Sequence, residues 1–350
     1  MRLGFAGNRR AVALRPIAMG SFGRRSFLGF CLASARALKL TAQSQESGAA
    51  LLKQFQFESK LWPNLHHFLY ILGRARNGTF GSGRVAAKQA PLDTAGFGAL
   101  SESQRKAWEH AIGIYQVHAS PLDIGYGGLV DVNYAVADLP ASGRIEDAKG
   151  ISAELRAALA EAGPVYRGLW WPRHDAANLD WISQLKPQVE RYGPRIKERL
   201  TAAFRTSWPT LPLRVEVVAY ADPRGAYTTA DPPLIAISSL NPQHQGIDGL
   251  EQLFHECSHL MMDTVEAALK ARAKAVGKDL SREVSHTILF YTVADTLRTL
   301  IPDRVPYPDH YGVWNRGWTR YHELLGLYWQ PYLDGKSTME DAIDRLVRNL

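Results

Sequence analysis

The spacing of apolar residues along this 350-residue chain predicts that its first half is mainly helical. Over residues 46–75 the apolar positions recur at helical intervals, and a break near Trp62 and Pro63 divides the segment into two helices. Residues 164–172 are rich in aromatic side chains and predict a loop. Three other segments have the helical period: residues 102–115, 153–162 and 178–204.

The period changes from helical to alternating after residue 205. Residues 213–220 begin with alternating apolar and polar side chains, which is typical of a half-buried strand, and residues 234–238 predict a short apolar strand. Between them, residues 222–225 predict a turn and residues 226–229 an edge strand. This part of the chain therefore predicts a small mixed or antiparallel sheet.

Helices return after the sheet. No glycine or proline interrupts the chain after Gly249 as far as Val276, which predicts one long helix there. A turn over residues 277–281 leads to a second helix over residues 282–300. A last helix is predicted to begin at Ser337, which has the spacing of a capping box with Glu340.

These elements predict an α+β fold in three parts. Residues 1–42 form a leader, residues 43–205 a helical region, and residues 206–350 a region in which a small sheet precedes the long helix.

The charge of the chain is concentrated in the leader. The whole sequence carries a formal net charge of +7, with 41 basic and 34 acidic residues. Without the leader, 33 basic residues remain against 34 acidic ones, a net charge of −1, which argues against nucleic acid as a partner. The leader has no acidic residue and eight basic ones: Arg2, Arg9, Arg10, Arg15, Arg24, Arg25, Arg36 and Lys39.

The leader resembles a twin-arginine export signal. Residues 24–28 read Arg-Arg-Ser-Phe-Leu, and an apolar run with small residues follows them. The resemblance implies a periplasmic or secreted bacterial protein. No other stretch has the roughly 18 apolar residues that a membrane span needs, so no stable span is expected. With Cys31 in the leader, Cys257 remains alone in the mature chain and no internal disulfide is possible.

The segment His255-Glu256-Cys257-Ser258-His259 contains the pattern His-Glu-x-x-His on the predicted long helix. Histidines four positions apart lie about one turn apart on the same helical face, so both imidazoles can bind one Zn²⁺ ion. Glu256 lies beside this face, where it can accept a proton from water and pass it to a leaving amine. Cys257 points away from the ligand face and is predicted to pack in the core.

With an apolar flank and strands just upstream, residues 212–300 resemble the zincin metallopeptidases, and those of the gluzincin type in particular. In that superfamily, a strand at the edge of a small sheet holds the substrate backbone above the motif helix. The resemblance implies that residues 227–229 offer backbone groups to a peptide, unless they form an ordinary edge strand.

A catalytic zinc site needs a third protein ligand. The gluzincin type takes it from the following helix, where the candidates are Glu283, His286 and Asp295. A straight helix from His259 to Val276 is about 25 Å long at about 1.5 Å per residue, and an antiparallel return brings residues 295–298 level with His259. Asp295 is therefore preferred, and His286 is favoured only if the first helix ends near Thr264 or the two helices cross steeply.

Other polar residues have a weaker case. The pairs His66-His67 and His174-Asp175 have no second ligand at metal spacing, and we interpret them as structural. An aromatic-rich run over residues 307–332 offers side chains that could stabilise an oxyanion, although a cover over the core is the more ordinary interpretation: His310, Tyr311, Tyr321 and His322.

The sequence predicts a zinc metallopeptidase that acts on a peptide or protein substrate, with Glu256 as general base and zinc held by His255, His259 and a third ligand. Two alternatives stay open. The first is a zinc hydrolase of non-peptide amides, and the second is a non-catalytic binding protein whose metal site is structural or vestigial.

Overall fold

In a computed structural model of the chain, the described residues are 47–79, 93, 95–210 and 212–350. The leader and its twin-arginine segment lie outside these residues, so the export signal stays a prediction. The predicted α+β class is confirmed, because a mostly helical chain surrounds one four-stranded sheet.

The first half of the described chain contains six α-helices and one strand. They are α1 (47–52), β1 (Phe55–Glu58), α2 (Leu61–Arg76), α3 (Glu102–His118), α4 (Val130–Ala137), α5 (Ala153–Leu169) and α6 (Trp171–Phe204).

Two predictions for this half are wrong. Residues 55–58 form β1 rather than helix, because Phe55 and Phe57 alternate with polar residues and pair with the following strand of the sheet. The segment 164–172 is not a loop but the junction of α5 and α6. Its aromatic side chains pack between helices, where Trp170 is fully buried and stacks on Trp108 with ring centroids 4.5 Å apart.

The sheet is mixed, with strand order β1-β2-β4-β3. Strands β2 (Leu213–Val218) and β4 (Pro233–Ser238) are parallel, β1 adds to β2 in parallel, and β3 (Ala226–Ala230) pairs antiparallel with β4. The predicted strands are thus present, and β3 is an edge strand as expected. Within the described chain, no further strand pairs with its outer side.

Each face of the sheet contributes to a different hydrophobic cluster. Val215 and Val217 face a cluster that includes α6 and the helices of the second half, whereas Val218 and Tyr220 belong to a cluster with α2, α3 and α5. Because β1 and α6 from the predicted helical region share the sheet and its core with the second half, the boundary predicted at residue 205 does not divide the core.

The second half continues with helices. They are α7 (Gly246–Ser258), α8 (Asp263–Ala275), α9 (Glu283–Leu300), α10 (Tyr307–His310), α11 (Thr319–Leu324), α12 (Gln330–Leu333) and α13 (Met339–Asn349). Thr338, rather than Ser337, caps α13 by accepting a hydrogen bond from the backbone of Asp341. None of the described helices combines the length and the apolar character that a membrane span requires.

The long helix predicted over residues 249–276 is broken in two. The α-helix α7 ends at Ser258, residues His259–Met261 form a 3₁₀ turn, and α8 starts at Asp263. The Ser258 hydroxyl donates to the carbonyl of Phe254, 2.7 Å away, and this local bond bends a helix by competing for its carbonyls. The break lies inside the metal motif, and it decides which residues meet there.

Three buried histidines of the first half predict acid-sensitive stability. Burial lowers the pKa of His67 and of His174 to about 4, and that of His66 well below its ordinary value. Between pH of about 6.5 and 4, the unfolded chain therefore binds protons that the folded chain does not, so stability falls as the pH falls. As the pH falls through this window, each histidine lowers the free energy of unfolding by up to about 1.4 kcal/mol per pH unit.

Urea unfolding at several pH values from about 7 to about 4 measures how the free energy of unfolding changes with pH. His67→Gln is expected to reduce the number of protons taken up on unfolding by about one, which makes the slope less steep. His110→Gln is the control, because His110 lies exposed on α3. An unchanged slope in His67→Gln would contradict the prediction.

Candidate metal centre

Three histidines come together at the end of α7. Ligand nitrogens of His255, His259 and His286 all lie within 4.8 Å of one another. The Nε2 atoms of His255 and His286 are 3.3 Å apart. Two nitrogens bound at 2.0–2.1 Å to one tetrahedral ion are about 3.3 Å apart, so this pair already has the spacing that zinc requires.

His286 comes from the first turn of α9, which packs against α6 and α7. Its ring centroid lies 5.3 Å from that of His255 and 5.2 Å from that of His259. The α-helix α7 gives way to a 3₁₀ turn at His259, and α9 packs against α7 so that its first turn lies at the motif. The condition under which the sequence favoured His286 is therefore met.

Asp295 is not part of the cluster. It lies nine residues after His286, about 13 Å further along α9 at about 1.5 Å per residue. Its carboxylate accepts a hydrogen bond from Arg298 at 2.6 Å and lies 3.5 Å from Arg199. The expectation that Asp295 stands level with His259 is wrong, because it assumed one straight helix through residue 276. Glu283, at the start of α9, does not join the cluster either.

The three rings are neutral at neutral pH, as a metal requires of its imidazole ligands. Burial lowers the pKa of His255 well below its ordinary value, that of His259 to about 4 and that of His286 to about 3. The neighbouring histidines oppose protonation of His255 and His286 further. Packing orients His255, whose ring centroid lies 4.0 Å from that of Phe290.

Glu256 is buried and held by two hydrogen bonds. Thr228 on β3 donates its hydroxyl to the carboxylate at 2.7 Å, and Gln252, one turn earlier on α7, donates its amide at 2.8 Å. Burial raises the pKa of Glu256 to about 7, although both hydrogen bonds lower it. The carboxyl group can therefore accept and release a proton near neutral pH.

The edge strand β3 lies against α7 and also against the turn that contains His259. Thr228 and Thr229 are buried in this contact. This arrangement places the edge strand beside the motif helix, and the hydrogen bond from Thr228 ties the strand to Glu256.

A turn just before β3 places a charged side chain near the histidines. Gly225 has φ +95°, a left-handed conformation that favours glycine, and Asp222 accepts the backbone N–H groups of Arg224 and Gly225. The Arg224 guanidinium lies over the ring of Tyr126, 5.5 Å from its centroid. Partial burial and the charge of Glu256 raise the pKa of Tyr126, although Tyr126 is 55% exposed, so Tyr126 and Glu256 interact electrostatically.

A cleft of about 1140 Å³ opens beside the cluster. His259 and His286 line it together with Tyr126 and Arg224, and it continues along α8 towards the turn before α9. Among the described residues, no fourth His, Cys, Asp or Glu side chain joins the three histidines. Three protein ligands beside an open cleft are typical of a catalytic rather than a structural zinc site.

The other histidines considered from the sequence have structural contacts. His66 is hydrogen-bonded to Tyr115 and Asn133, and His67 to the carbonyl of Pro63 and to Tyr227. In the same way, His174 contacts the hydroxyl of Tyr166 at 2.8 Å. Cys257 is a buried free thiol within the core, as its position on α7 indicated.

The aromatic residues considered as oxyanion partners do not line the cleft. Tyr311 donates its hydroxyl to Asp248 at 2.8 Å, with His310 close by, and His322 stacks on Trp314. Tyr321 packs against the core. These contacts support the interpretation of the run 307–332 as a cover over the core.

Three site residues had no assigned role in the sequence: Tyr126, Arg224 and Gln252. Thr228 was considered there only for the backbone groups of residues 227–229. Gln252 alone had a local signal, because it precedes Glu256 by one helical turn. Tyr126 lies about 130 residues before the motif in a loop, and only the fold brings it to the cleft. What the site does has to be inferred from such contacts, because the chain has no significant match among protein-family models, curated proteins or solved structures.

Proposed function

We propose that this chain is a zinc-dependent peptidase. The observation that carries the proposal is the convergence of His255, His259 and His286 beside the buried carboxyl group of Glu256. The donor set fits zinc, since three neutral imidazoles with one open side are a common catalytic ligand set. Zinc, when bound, polarises a carbonyl and makes water a stronger nucleophile near neutral pH.

In this proposal each residue of the site has a separate role. His255, His259 and His286 hold the ion, and Glu256 accepts the proton of the attacking water and transfers it to the leaving nitrogen. Thr228 and Gln252 keep the Glu256 carboxylate in one orientation. Tyr126 lines the cleft, and in this proposal its hydroxyl donates to the developing oxyanion.

A peptide bond is the favoured target for a reason of geometry. The outer side of β3 has no strand partner within the described chain. Its residues 226–229 are each no more than 6% exposed, so an extended peptide that adds to this edge has to displace the groups that cover it. The arrangement agrees with the zincin resemblance, in which an edge strand lies above the motif helix. Export through the twin-arginine segment at residues 24–28 stays part of the proposal, with action in the periplasm or outside the cell.

Zinc titration tests the proposal directly. Metal-free protein is expected to bind one equivalent of Zn²⁺ and to gain about 2.7 kcal/mol of stability at a free zinc concentration of 100 times the Kd. Mass spectrometry of the metal content and thermal unfolding measure both effects. Cleavage of an unfolded protein such as reduced casein is expected only in the zinc-loaded sample.

Protein that binds no zinc while remaining folded contradicts the proposal. One equivalent of zinc without any cleavage, across a broad set of unfolded proteins and peptides, contradicts the peptidase assignment and leaves the structural-site alternative.

A further inference from the structure

The cleft beside the histidine cluster has an excess of positive charge. This excess is local, because the chain after residue 42 is nearly balanced. The floor of the cleft is apolar and includes Leu269, Val284 and Leu289. Its lining includes five basic side chains against two acidic ones: Arg224, Lys270, Lys274, Lys278 and Arg282 against Glu266 and Asp279.

Two of the five cations already have partners. Arg224 pairs with Asp222 and Asp123, and Lys278 donates to carbonyls at the end of α13. Within the described part of the chain, no ion pair involves Lys270, Lys274 or Arg282. All three are exposed along the cleft, so their charge is available to a ligand.

Their spacing suits an extended chain that leaves the metal centre. Lys270 and Lys274 lie one turn apart on the same face of α8. Measured from Asp263, where α8 begins beside the histidines, they lie about 10 and 16 Å along the helix at about 1.5 Å per residue. An extended peptide covers these distances in about three and five residues at about 3.3 Å per residue.

We propose that this cleft binds an acidic segment of a peptide substrate. Lys270 and Lys274 would face carboxylates roughly three to five residues from the bond that is cleaved. Arg282 adds positive charge to the same cleft, closer to His286. The apolar floor contacts the side chains between them. The identity of that bond rests on the peptidase function proposed above, whereas the preference for negative charge rests on the cleft alone.

A single-stranded nucleic acid fits the cleft less well. Proteins that bind such strands combine positive charge with several aromatic platforms on which bases stack. Among the described lining residues of this cleft, apart from the two histidines of the cluster, Tyr126 is the one aromatic side chain. The cations are therefore better matched to an acidic peptide.

Peptide binding to Glu256→Gln protein, measured both with and without added zinc, tests the proposal without hydrolysis. Two labelled peptides of about ten residues are compared by fluorescence anisotropy, one with three glutamates and its counterpart with glutamines. Each exposed ion pair contributes modestly, so the acidic peptide is expected to bind about tenfold more tightly at low ionic strength. Added salt is expected to reduce this preference.

The double variant Lys270→Gln/Lys274→Gln is expected to lose most of the preference. Its matched control is Lys149→Gln/Lys186→Gln, which removes the same charge from exposed positions outside the cleft and is expected to keep it. Equal binding of the two peptides to the wild-type cleft overturns the proposal, as does an equal loss in the control variant.

An oligothymidine of the same charge that binds more tightly than the acidic peptide overturns the proposal in favour of a nucleic acid. The outcomes separate from those of the proposed function, since a charge preference is measurable whether or not the protein cleaves anything. Conversely, cleavage of neutral peptides but not of acidic ones supports the peptidase function and contradicts the proposed binding of an acidic segment.

Discussion

Glu256→Gln is expected to keep zinc and to lose peptide hydrolysis by about 10²- to 10⁴-fold, the usual contribution of a general base or acid. A glutamine has the same size as glutamate, and its amide oxygen can still accept the hydrogen bond from Thr228. What it cannot do is accept the proton of the attacking water. The three histidines are unchanged, so metal content is expected to stay at one equivalent.

Steady-state cleavage of a fluorogenic peptide measures this effect, with metal content determined on the same sample. Glu198→Gln is the control, because it removes one exposed carboxylate from α6, away from the cleft. Undiminished hydrolysis by metal-loaded Glu256→Gln protein would show that another group carries the proton.

His286→Ala is expected to lose zinc, whereas Asp295→Asn is expected to keep it. Even a residue that supports a metal ligand indirectly changes affinity by about 10- to 100-fold, so removal of the third ligand is expected to cost more than about 100-fold. Asp295 has no such role, since its carboxylate pairs with Arg298 and lies near Arg199.

Competition with a coloured chelator measures the two affinities, and circular dichroism confirms that each variant is folded. Asp295→Asn is expected to lower stability slightly, by about 1 kcal/mol or less, because it weakens partly exposed ion pairs. Loss of zinc in Asp295→Asn and retention in His286→Ala would reverse the assignment of the third ligand.

The clearest predictions from the sequence concern features with a local cause. Strands β2, β3 and β4 follow from alternating or apolar runs, and α6 and α9 follow from the helical period. The pairing of His255 with His259 belongs to the same class, because any helix places residues four apart on one face. Glu256 lies beside that face for the same reason.

Features that depend on distant partners were missed. Residues 55–58 contain two phenylalanines that suit a helix as well as a strand, and their pairing with β2 decides for the strand. The aromatic residues of 164–172 suggest a loop, but in the structure Trp170 stacks on Trp108 where two helices meet. In both cases a contact between segments far apart in sequence outweighs a weak local preference.

Local sequence pattern is sufficient to predict the α+β class, the histidine pair with its glutamate, and the concentration of charge in the leader. The third member of the cluster depends on how the helices pack. No glycine or proline marks the end of α7. The helix gives way to a 3₁₀ turn at His259–Met261, where the Ser258 hydroxyl donates to the carbonyl of Phe254 and α9 packs against α7. A helical period describes only one element, whereas a metal site depends on the angle between two, and packing sets that angle.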